Sequence, residues 1–226
     1  MEQLTDLGDG YQLWQDDSQF CFGQDSVLLA NFAALQPGDR VVDLCAGNGA
    51  VSVLLCAAHA GISVTGVELQ EAAFALAVRN GTYNGLDGRL SFIRGDVRHI
   101  SRLLPAGSAD AVVCNPPYRQ PGTGRLNPNS AKAIARFELC LTLDDVCAAA
   151  AHLLRPNGRL YLVHLPSRLG DCLCTMRAHG LEPKTMQLAH PTIQMDAALV
   201  LIEAVRGGKP GLCCPAPIIL QQEESQ

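Results

Sequence analysis

The sequence predicts an α/β protein built on one doubly wound, mostly parallel sheet with an antiparallel pair of strands at its C-terminal edge. From about residue 40 onward, short apolar runs typical of buried strands alternate with helical segments, as in a parallel sheet with helices on both faces. A Gly-rich turn follows the first apolar run, and two strand-like segments lie close together near the C-terminus. With 226 residues and 48% hydrophobic residues, the chain can bury the core of one large domain.

Each element of this sheet is predicted from its local pattern. The parallel strands are short apolar runs, several of them rich in β-branched residues, at residues 40–45, 62–69, 90–94, 109–114 and 159–164. The helices are longer segments, two of which precede Gly or Pro stop signals, at residues 50–60, 70–80, 143–154 and 168–179. The two late strands are close enough in sequence to pair antiparallel, at residues 184–189 and 197–205.

The first 36 residues are expected to form a small addition to the sheet. Residues 11–22 alternate loosely and are typical of a hairpin, whereas residues 25–35 form an amphipathic pattern that begins with helix-capping residues. The sequence therefore divides into an N-terminal addition at 1–36, a main domain at 37–206 and an irregular tail at 207–226.

Composition excludes several classes of protein. No uninterrupted apolar stretch reaches about 18 residues, and the N-terminus has no signal-peptide core, so we expect a cytoplasmic protein that does not span a membrane. The ten cysteines form no C-x-x-C pair and several stand in apolar runs, which indicates reduced thiols and no metal site. The net charge of −5 is compatible with nucleic-acid binding only if the basic residues cluster on one face.

The Gly-rich turn and three acids at successive strand ends predict an adenosine-containing cofactor. Gly47 and Gly49 let the backbone approach a ligand closely at the carboxyl edge of the sheet. Glu68 ends the second strand, where an acid accepts hydrogen bonds from ribose hydroxyls. Asp43 would repel a pyrophosphate and pair with an ammonium, which favours S-adenosylmethionine over NAD. Asp96 follows the third strand and is placed to accept from the adenine amino group.

The most informative feature is the run Asn115, Pro116, Pro117 and Tyr118 after the fourth strand. Each Pro fixes its own φ and lacks an N–H, and the residue before a Pro is pushed to extended geometry. The turn is therefore stiff, and its carbonyl oxygens are not used by a helix. The side-chain oxygen of Asn115 and the carbonyl of Pro116 suit a planar amino group held by its two hydrogens, with Tyr118 stacked on its ring.

With these residues, the chain resembles the class I S-adenosylmethionine-dependent methyltransferases, whose fold is Rossmann-like, and in particular the branch that methylates amino nitrogens. Residues 22–29, 134–138, 200–204 and 207–212 are similar to segments of the tRNA1(Val) (adenine(37)-N6)-methyltransferase family. The likeness covers nearly the whole chain. Two features depart from the family: Cys45 replaces the first loop glycine, and residues 192–196 carry an acid where basic residues are expected.

The resemblance implies methylation of adenine N6 in the anticodon loop of tRNA. The expected cofactor-binding residues lie in the loop and at the strand ends: Asp43, Cys45, Ala46, Gly47, Asn48, Gly49, Glu68, Leu69, Asp96, Val97 and Asn115. The expected catalytic residues are Asn115, Pro116, Pro117 and Tyr118. Contacts to tRNA are expected from residues outside the cofactor loop: Gln24, Asp25, Arg119, Arg125, Lys132, Arg136, Arg206 and Lys209.

Three other functions stay open at this point. The same pair of acceptors also fits the amino group of a glutamine carboxamide in a protein, or the N2 amino group of guanine in ribosomal RNA. A non-enzymatic alternative is an RNA-binding module that keeps the fold and has lost catalysis, for which Cys45 is the clue.

Overall fold

The computed structural model describes residues 2–16, 22–117 and 141–220. Its strands, numbered in chain order from β1 to β10, are Glu2–Gly8, Tyr11–Asp16, Arg40–Leu44, Ser63–Glu68, Leu90–Arg94, Ala109–Cys114, Leu154–His164, Leu181–His190, Leu199–Arg206 and Ile218–Ile219. The α-helices, α1 to α5, are Gln24–Phe32, Ala50–Ala58, Glu71–Tyr83, Leu143–Leu153 and Leu169–Ala178. A 3-10 turn covers Val97–Arg102.

Eight strands form one sheet in the order β10-β8-β9-β7-β6-β3-β4-β5. Within this order, the adjacent strands β7, β6, β3, β4 and β5 all pair parallel. Strand β9 runs antiparallel to both β7 and β8. The predicted fold class is therefore confirmed. One detail differs, because the tail that was expected to be irregular adds the two-residue strand β10, parallel to β8, at the outer edge.

The core consists of two apolar clusters on opposite faces of this sheet. Successive residues of a strand point to opposite faces, and Val41 and Val42 accordingly belong to different clusters. One cluster includes Leu153 of α4, and the other includes Leu29 of α1. Helix α1 therefore shares the core of the sheet. The three-part division of the chain stays a prediction.

The N-terminal hairpin is formed by β1 and β2, which pair antiparallel as a separate sheet. Its prediction at residues 11–22 missed β1, whose side chains are mostly exposed and polar and so carry no apolar alternation. The hairpin is attached to α3 through side-chain amides: Asn80 Oδ1 accepts from the Trp14 N–H at 2.8 Å, and Asn84 Oδ1 accepts from the Gln12 N–H at 2.9 Å.

Two further findings concern the other sequence expectations. Strand β7 begins directly after α4, so that Asn157, with a φ of 65°, lies within the strand instead of in a separate turn. The eight cysteines in the described residues are all free thiols. No helix in the described part of the chain is long and apolar enough to cross a membrane.

Candidate active site

The candidate site lies where the chain leaves β3, β4, β5 and β6 at the carboxyl edge of the sheet. Strand β3 lies between β4 and β6, and Leu44 is in register with Val67 on one side and Cys114 on the other. The chain therefore turns away from β3 in two directions, which opens a crevice at this edge. The predicted residues Glu68 and Asn115 lie on its two sides.

The two glycines of the loop between β3 and α2, which were both predicted to let the backbone approach a ligand, have different surroundings. Gly49 has a φ of +83°, and a Cβ there would lie 2.9 Å from the ring of Phe92 and 3.3 Å from Ala77, so only glycine fits. Gly47 has a φ of +57°, and a Cβ on it would meet nothing within 4 Å. Gly49 is therefore required by the protein interior, whereas the space beside Gly47 is open to a ligand.

Cys45 adopts a left-handed backbone conformation, with a φ of 63°. This conformation costs a residue with a Cβ about 1–2 kcal/mol, which explains why a glycine is favourable there. The Cys45 side chain packs against the apolar cluster, close to the Cys114 thiol. The loop therefore keeps its shape with a cysteine at this position.

Glu68 organises the loop from the end of β4. Its side chain is almost fully buried, and its two oxygens accept from the Gly47 N–H at 2.9 Å and the Gln70 N–H at 2.7 Å. Burial raises the pKa of Glu68, and these two hydrogen bonds oppose the increase. A carboxylate has about four acceptor sites, so Glu68 can still accept from a ribose hydroxyl, and that contact stays a prediction.

Asp43 supports the loop from the interior. It is 1% exposed, and its Oδ2 accepts from the Ser52 hydroxyl at 2.6 Å. Burial raises the pKa of Asp43 to about 7, although the Ser52 hydrogen bond opposes this. Asp43 is not among the residues that line the cleft described below, and its predicted position beside an ammonium stays a prediction.

A cleft of about 350 Å³, its open mouth included, extends from the loop along the ends of β4 and β5. Its walls combine apolar and acidic residues: Cys45, Val67, Glu68, Leu69, Asp96, Val97 and Leu141. Leu69 is 43% exposed although it is apolar. Apolar walls with a few placed polar groups are typical of a small-molecule site, and this combination suits an adenosine.

Asp96 lies at the far end of the cleft, where it caps the 3-10 turn. Its carboxylate accepts from the Arg98 N–H at 2.9 Å and from the Arg98 guanidinium at 2.6 Å. These bonds lower the pKa of Asp96, so the group stays charged. The predicted adenine contact would have to share this carboxylate with Arg98.

On the other side of the loop, Asn115 and Pro116 continue directly from β6. Asn115 is half-buried, and its Nδ2 donates to the Ser26 hydroxyl of α1 at 3.3 Å. Ser26 was not among the predicted site residues, because only the fold brings it to Asn115, 89 positions along the chain. The predicted residues Gln24 and Asp25 precede Ser26 at the start of α1.

The structure separates the remaining predicted residues into two groups. Five lie outside the described residues: Tyr118, Arg119, Arg125, Lys132 and Arg136. Arg206 ends the antiparallel strand β9, beside Leu181 at the start of β8, and its guanidinium donates to the Leu154 carbonyl. Arg206 therefore lies where the parallel strands begin, whereas Asn115 follows their carboxyl ends. Lys209 follows it, and its carbonyl accepts from Lys184 Nζ at 3.1 Å.

Asn48 carries the one buried nitrogen in the loop that lacks a partner. The residue is 6% exposed, and its backbone carbonyl accepts from Asn80 Nδ2 at 2.9 Å. Its own Nδ2 has no hydrogen-bond partner in the described residues. Because a buried donor without a partner is costly, this atom indicates an acceptor supplied by a ligand.

Known proteins are similar to this chain in both sequence and fold. A family model described as "Methyltransferase small domain" matches residues 21–168. The tRNA1(Val) (adenine(37)-N6)-methyltransferase of Serratia proteamaculans is 33% identical over 178 residues, which cover 78% of this chain and 66% of the Serratia protein. The protein of the same name from Photobacterium profundum is 27% identical over 182 residues, which cover 79% of this chain and 75% of that protein.

Among solved structures, a predicted O-methyltransferase from Agrobacterium tumefaciens superposes with a TM-score of 0.71 at 23% identity and covers 89% of both chains. At this identity the likeness shows the fold alone. The match to the Serratia protein spans just under two thirds of its length.

Proposed function

The chain belongs to the methyltransferase small domain family, and from that premise we propose that it transfers the methyl group of S-adenosylmethionine to the N6 amino group of an adenine in tRNA. The observation that carries this proposal is Asn115 and Pro116 at the end of β6, next to the cofactor loop. The names of the curated relatives, which specify adenine 37 of tRNA1(Val), support the same reaction.

The residues of the loop and cleft fit S-adenosylmethionine. The buried Asn48 Nδ2 needs an acceptor, which a carboxylate of the cofactor can supply. The open side of Gly47 leaves room for a ligand beside the backbone, and Glu68 has lone pairs for ribose hydroxyls. Leu69 and Val97 provide apolar walls for the adenine ring. When bound, S-adenosylmethionine supplies an electrophilic methyl group on a sulfonium.

The role of Asn115 and Pro116 follows from the chemistry of the adenine amino group. Its lone pair is delocalised into the ring, so the nitrogen is a poor nucleophile. The Asn115 side-chain oxygen and the Pro116 carbonyl accept its two hydrogens, which directs the lone pair toward the methyl group. Orientation and dipoles that are in place before the reaction lower the barrier.

The transfer is an in-line displacement. The new bond joins the amino nitrogen to the methyl carbon, the carbon–sulfur bond breaks, and its electron pair stays on sulfur. The nitrogen then releases a proton to water, so no strong base is required. Asn115 and Pro116 hold the hydrogens, and neither residue forms a covalent bond.

For the substrate, we propose the anticodon loop of tRNA, in which a base can leave the stack at modest cost. Stacking of Tyr118 on the base would return about 1–3 kcal/mol. Of the predicted tRNA-binding residues, Gln24 and Asp25 lie on the helix that contacts Asn115, whereas Arg206 and Lys209 lie at the far edge. A tRNA substrate implies a cytoplasmic location.

A methyl-transfer assay tests this function. Labelled S-adenosylmethionine is incubated with the protein and, in parallel, unmodified total tRNA, ribosomal RNA or protein extract, followed by nucleoside and amino-acid analysis. We expect label in N6-methyladenosine from tRNA. Label in methylglutamine or in N2-methylguanosine would contradict the proposed substrate, and cofactor binding without any transfer would indicate the catalytically silent module.

A further inference from the structure

We infer that Asn80 of α3 is a positioning residue for cofactor binding, because its side-chain amide holds the backbone of the cofactor loop at Asn48. The same amide holds the N-terminal hairpin, so one side chain joins both segments. Asn80 is not among the residues that line the cleft, and it acts through the loop. This inference rests on the proposed function, in which the loop binds S-adenosylmethionine.

The partners of the Asn80 amide allow only one orientation of it. Its Oδ1 accepts from the Trp14 N–H at 2.8 Å, and its Nδ2 donates to the Trp14 carbonyl at 3.0 Å and to the Asn48 carbonyl at 2.9 Å. A backbone N–H only donates and a backbone carbonyl only accepts. Rotation of the amide by 180° would therefore break all three hydrogen bonds. Both N–H donors of Asn80 are used in this way, one for the hairpin and one for the loop.

Asn48 stands between the two glycines of the loop. On one side, the Gly47 N–H donates to Glu68 at 2.9 Å, and a ligand has room beside Gly47. On the other side, the Gly49 N–H belongs to the same planar peptide unit as the Asn48 carbonyl and donates to the Ala46 carbonyl at 2.8 Å. This peptide unit is therefore held at both ends, and the bond from α3 is the one that comes from outside the loop.

Burial makes this bond hard to replace. Asn80 is 0% exposed and Asn48 is 6% exposed, so bulk water has little access to the contact. A buried carbonyl that loses its donor is costly, and the loop relieves that cost by shifting the peptide unit toward solvent. A site must hold its binding groups to within about 0.5 Å, so such a shift weakens cofactor binding.

Asn84, one turn later on α3, provides a matched control. Its Oδ1 accepts from the Gln12 N–H at 2.9 Å, and its Nδ2 donates to the Gln12 carbonyl and to the Asn80 carbonyl, both at 2.7 Å. Asn84 therefore attaches the same hairpin with the same kinds of hydrogen bond. Its third bond stays within α3, whereas the third bond of Asn80 reaches the loop.

The first test compares the two alanine variants with the wild type. Asn80→Ala and Asn84→Ala both weaken the hairpin, so both should lower the Tm. Calorimetric titration at a temperature where all three proteins are folded should show the Kd of S-adenosylmethionine raised about fivefold in Asn80→Ala, and changed by less than about twofold in Asn84→Ala. Equal Kd values in the two variants would overturn the inference.

The second test keeps the size of the side chain, and it decides the matter if Asn80→Ala does not fold. In Asn80→Asp, a carboxyl oxygen can still accept from the Trp14 N–H, but the group no longer supplies two donors for the carbonyls. The Kd of S-adenosylmethionine should rise about fivefold or more in Asn80→Asp, and by less than about twofold in Asn84→Asp. An unchanged Kd in Asn80→Asp would contradict the role of Asn80.

The third test requires no ligand. Because the Gly49 amide shares its peptide unit with the Asn48 carbonyl, its ¹⁵N NMR signal should shift in Asn80→Ala and not in Asn84→Ala. The same spectrum in both variants would overturn the inference. A wild type that binds S-adenosylmethionine and methylates no tRNA would refute the proposed substrate and leave the role of Asn80 intact, whereas equal Kd values in the variants would leave the substrate intact.

Discussion

The substitution Gly47→Ala tests whether the open side of the loop is a ligand-binding surface. A Cβ on Gly47 would meet no protein atom within 4 Å, so the protein itself has room for it. If S-adenosylmethionine binds against this part of the backbone, the added methyl group occupies space that the cofactor needs. Gly47→Ala should then lower the stability of the protein only slightly but weaken the binding of S-adenosylmethionine strongly.

The expected stability loss is small. A left-handed conformation costs alanine about 1–2 kcal/mol, and about 0.4–1 kcal/mol of this is offset because alanine has less conformational freedom in the unfolded chain. The net loss of about 1 kcal/mol corresponds to a Tm decrease of about 2–4 °C for a chain of this size. Overpacking against the cofactor costs about 1–3 kcal/mol, which raises the Kd about tenfold or more.

Gly38→Ala is the matched control. Gly38 also has a positive φ, +92°, with nothing within 4 Å of a Cβ, and its N–H likewise donates a hydrogen bond, to the Gly61 carbonyl. It precedes β3, at the opposite edge of the sheet from the loop. Thermal unfolding should show a similar Tm loss in both variants, and calorimetric titration should show weaker S-adenosylmethionine binding only in Gly47→Ala. Equal affinities in the two variants would refute the assignment of the loop to the cofactor.

Three further predictions concern catalysis and the response to pH. Asn115→Ala should lower kcat at least about 100-fold, because a placed acceptor is lost, while calorimetry shows an unchanged Kd for S-adenosylmethionine; an equal loss of affinity would contradict its catalytic role. Asp110→Asn should lower the free energy of unfolding by about 2 kcal/mol at pH 7: burial acts to raise the pKa of Asp110, but bonds from Arg40 and Arg155 outweigh it and hold that pKa well below its usual value. This contribution is lost as the pH falls below about 4. The difference in the free energy of unfolding between wild type and Asp110→Asn, measured in urea, should therefore be smaller at pH 3 than at pH 7. The same difference at both pH values would argue against these ion pairs. Burial raises the pKa of Asp43 to about 7, so between about pH 4 and 7 the folded state keeps a proton that the unfolded state releases. In urea unfolding, wild type should therefore lose stability relative to Asp43→Asn as the pH rises through this range. The reverse trend would be inconsistent with a buried carboxyl.

The main sheet could be predicted because its signals are local. Strands β5 and β6 begin and end at the predicted residues, since apolar runs between turns are visible in the sequence. Strand β1 could not be predicted, because its exposed residues are ordered by pairing with β2, which is in turn attached to α3. Strand β10 has only two residues and depends on the edge of β8.

The candidate site was predicted in part, because residue types indicate chemistry but not direction. Glu68 lines the cleft, whereas the equally acidic Asp43 accepts a hydrogen bond from Ser52 in the interior. Arg206 ends an antiparallel strand, and such a strand ends at the edge opposite the carboxyl ends of its parallel neighbours. The residues around Ser26 in the sequence do not indicate that it belongs to the site, because its contact with Asn115 exists only in the folded chain.

The most direct test of the central claim is position-specific methylation of one defined tRNA. An unmodified tRNA1(Val) transcript and the same transcript with guanine in place of adenine 37 are each incubated with the protein and labelled S-adenosylmethionine, and the labelled nucleoside is identified and mapped. The proposed mechanism predicts N6-methyladenosine at position 37 of the first transcript and no label in the second. Equal labelling of both transcripts, or no label in either, would contradict it.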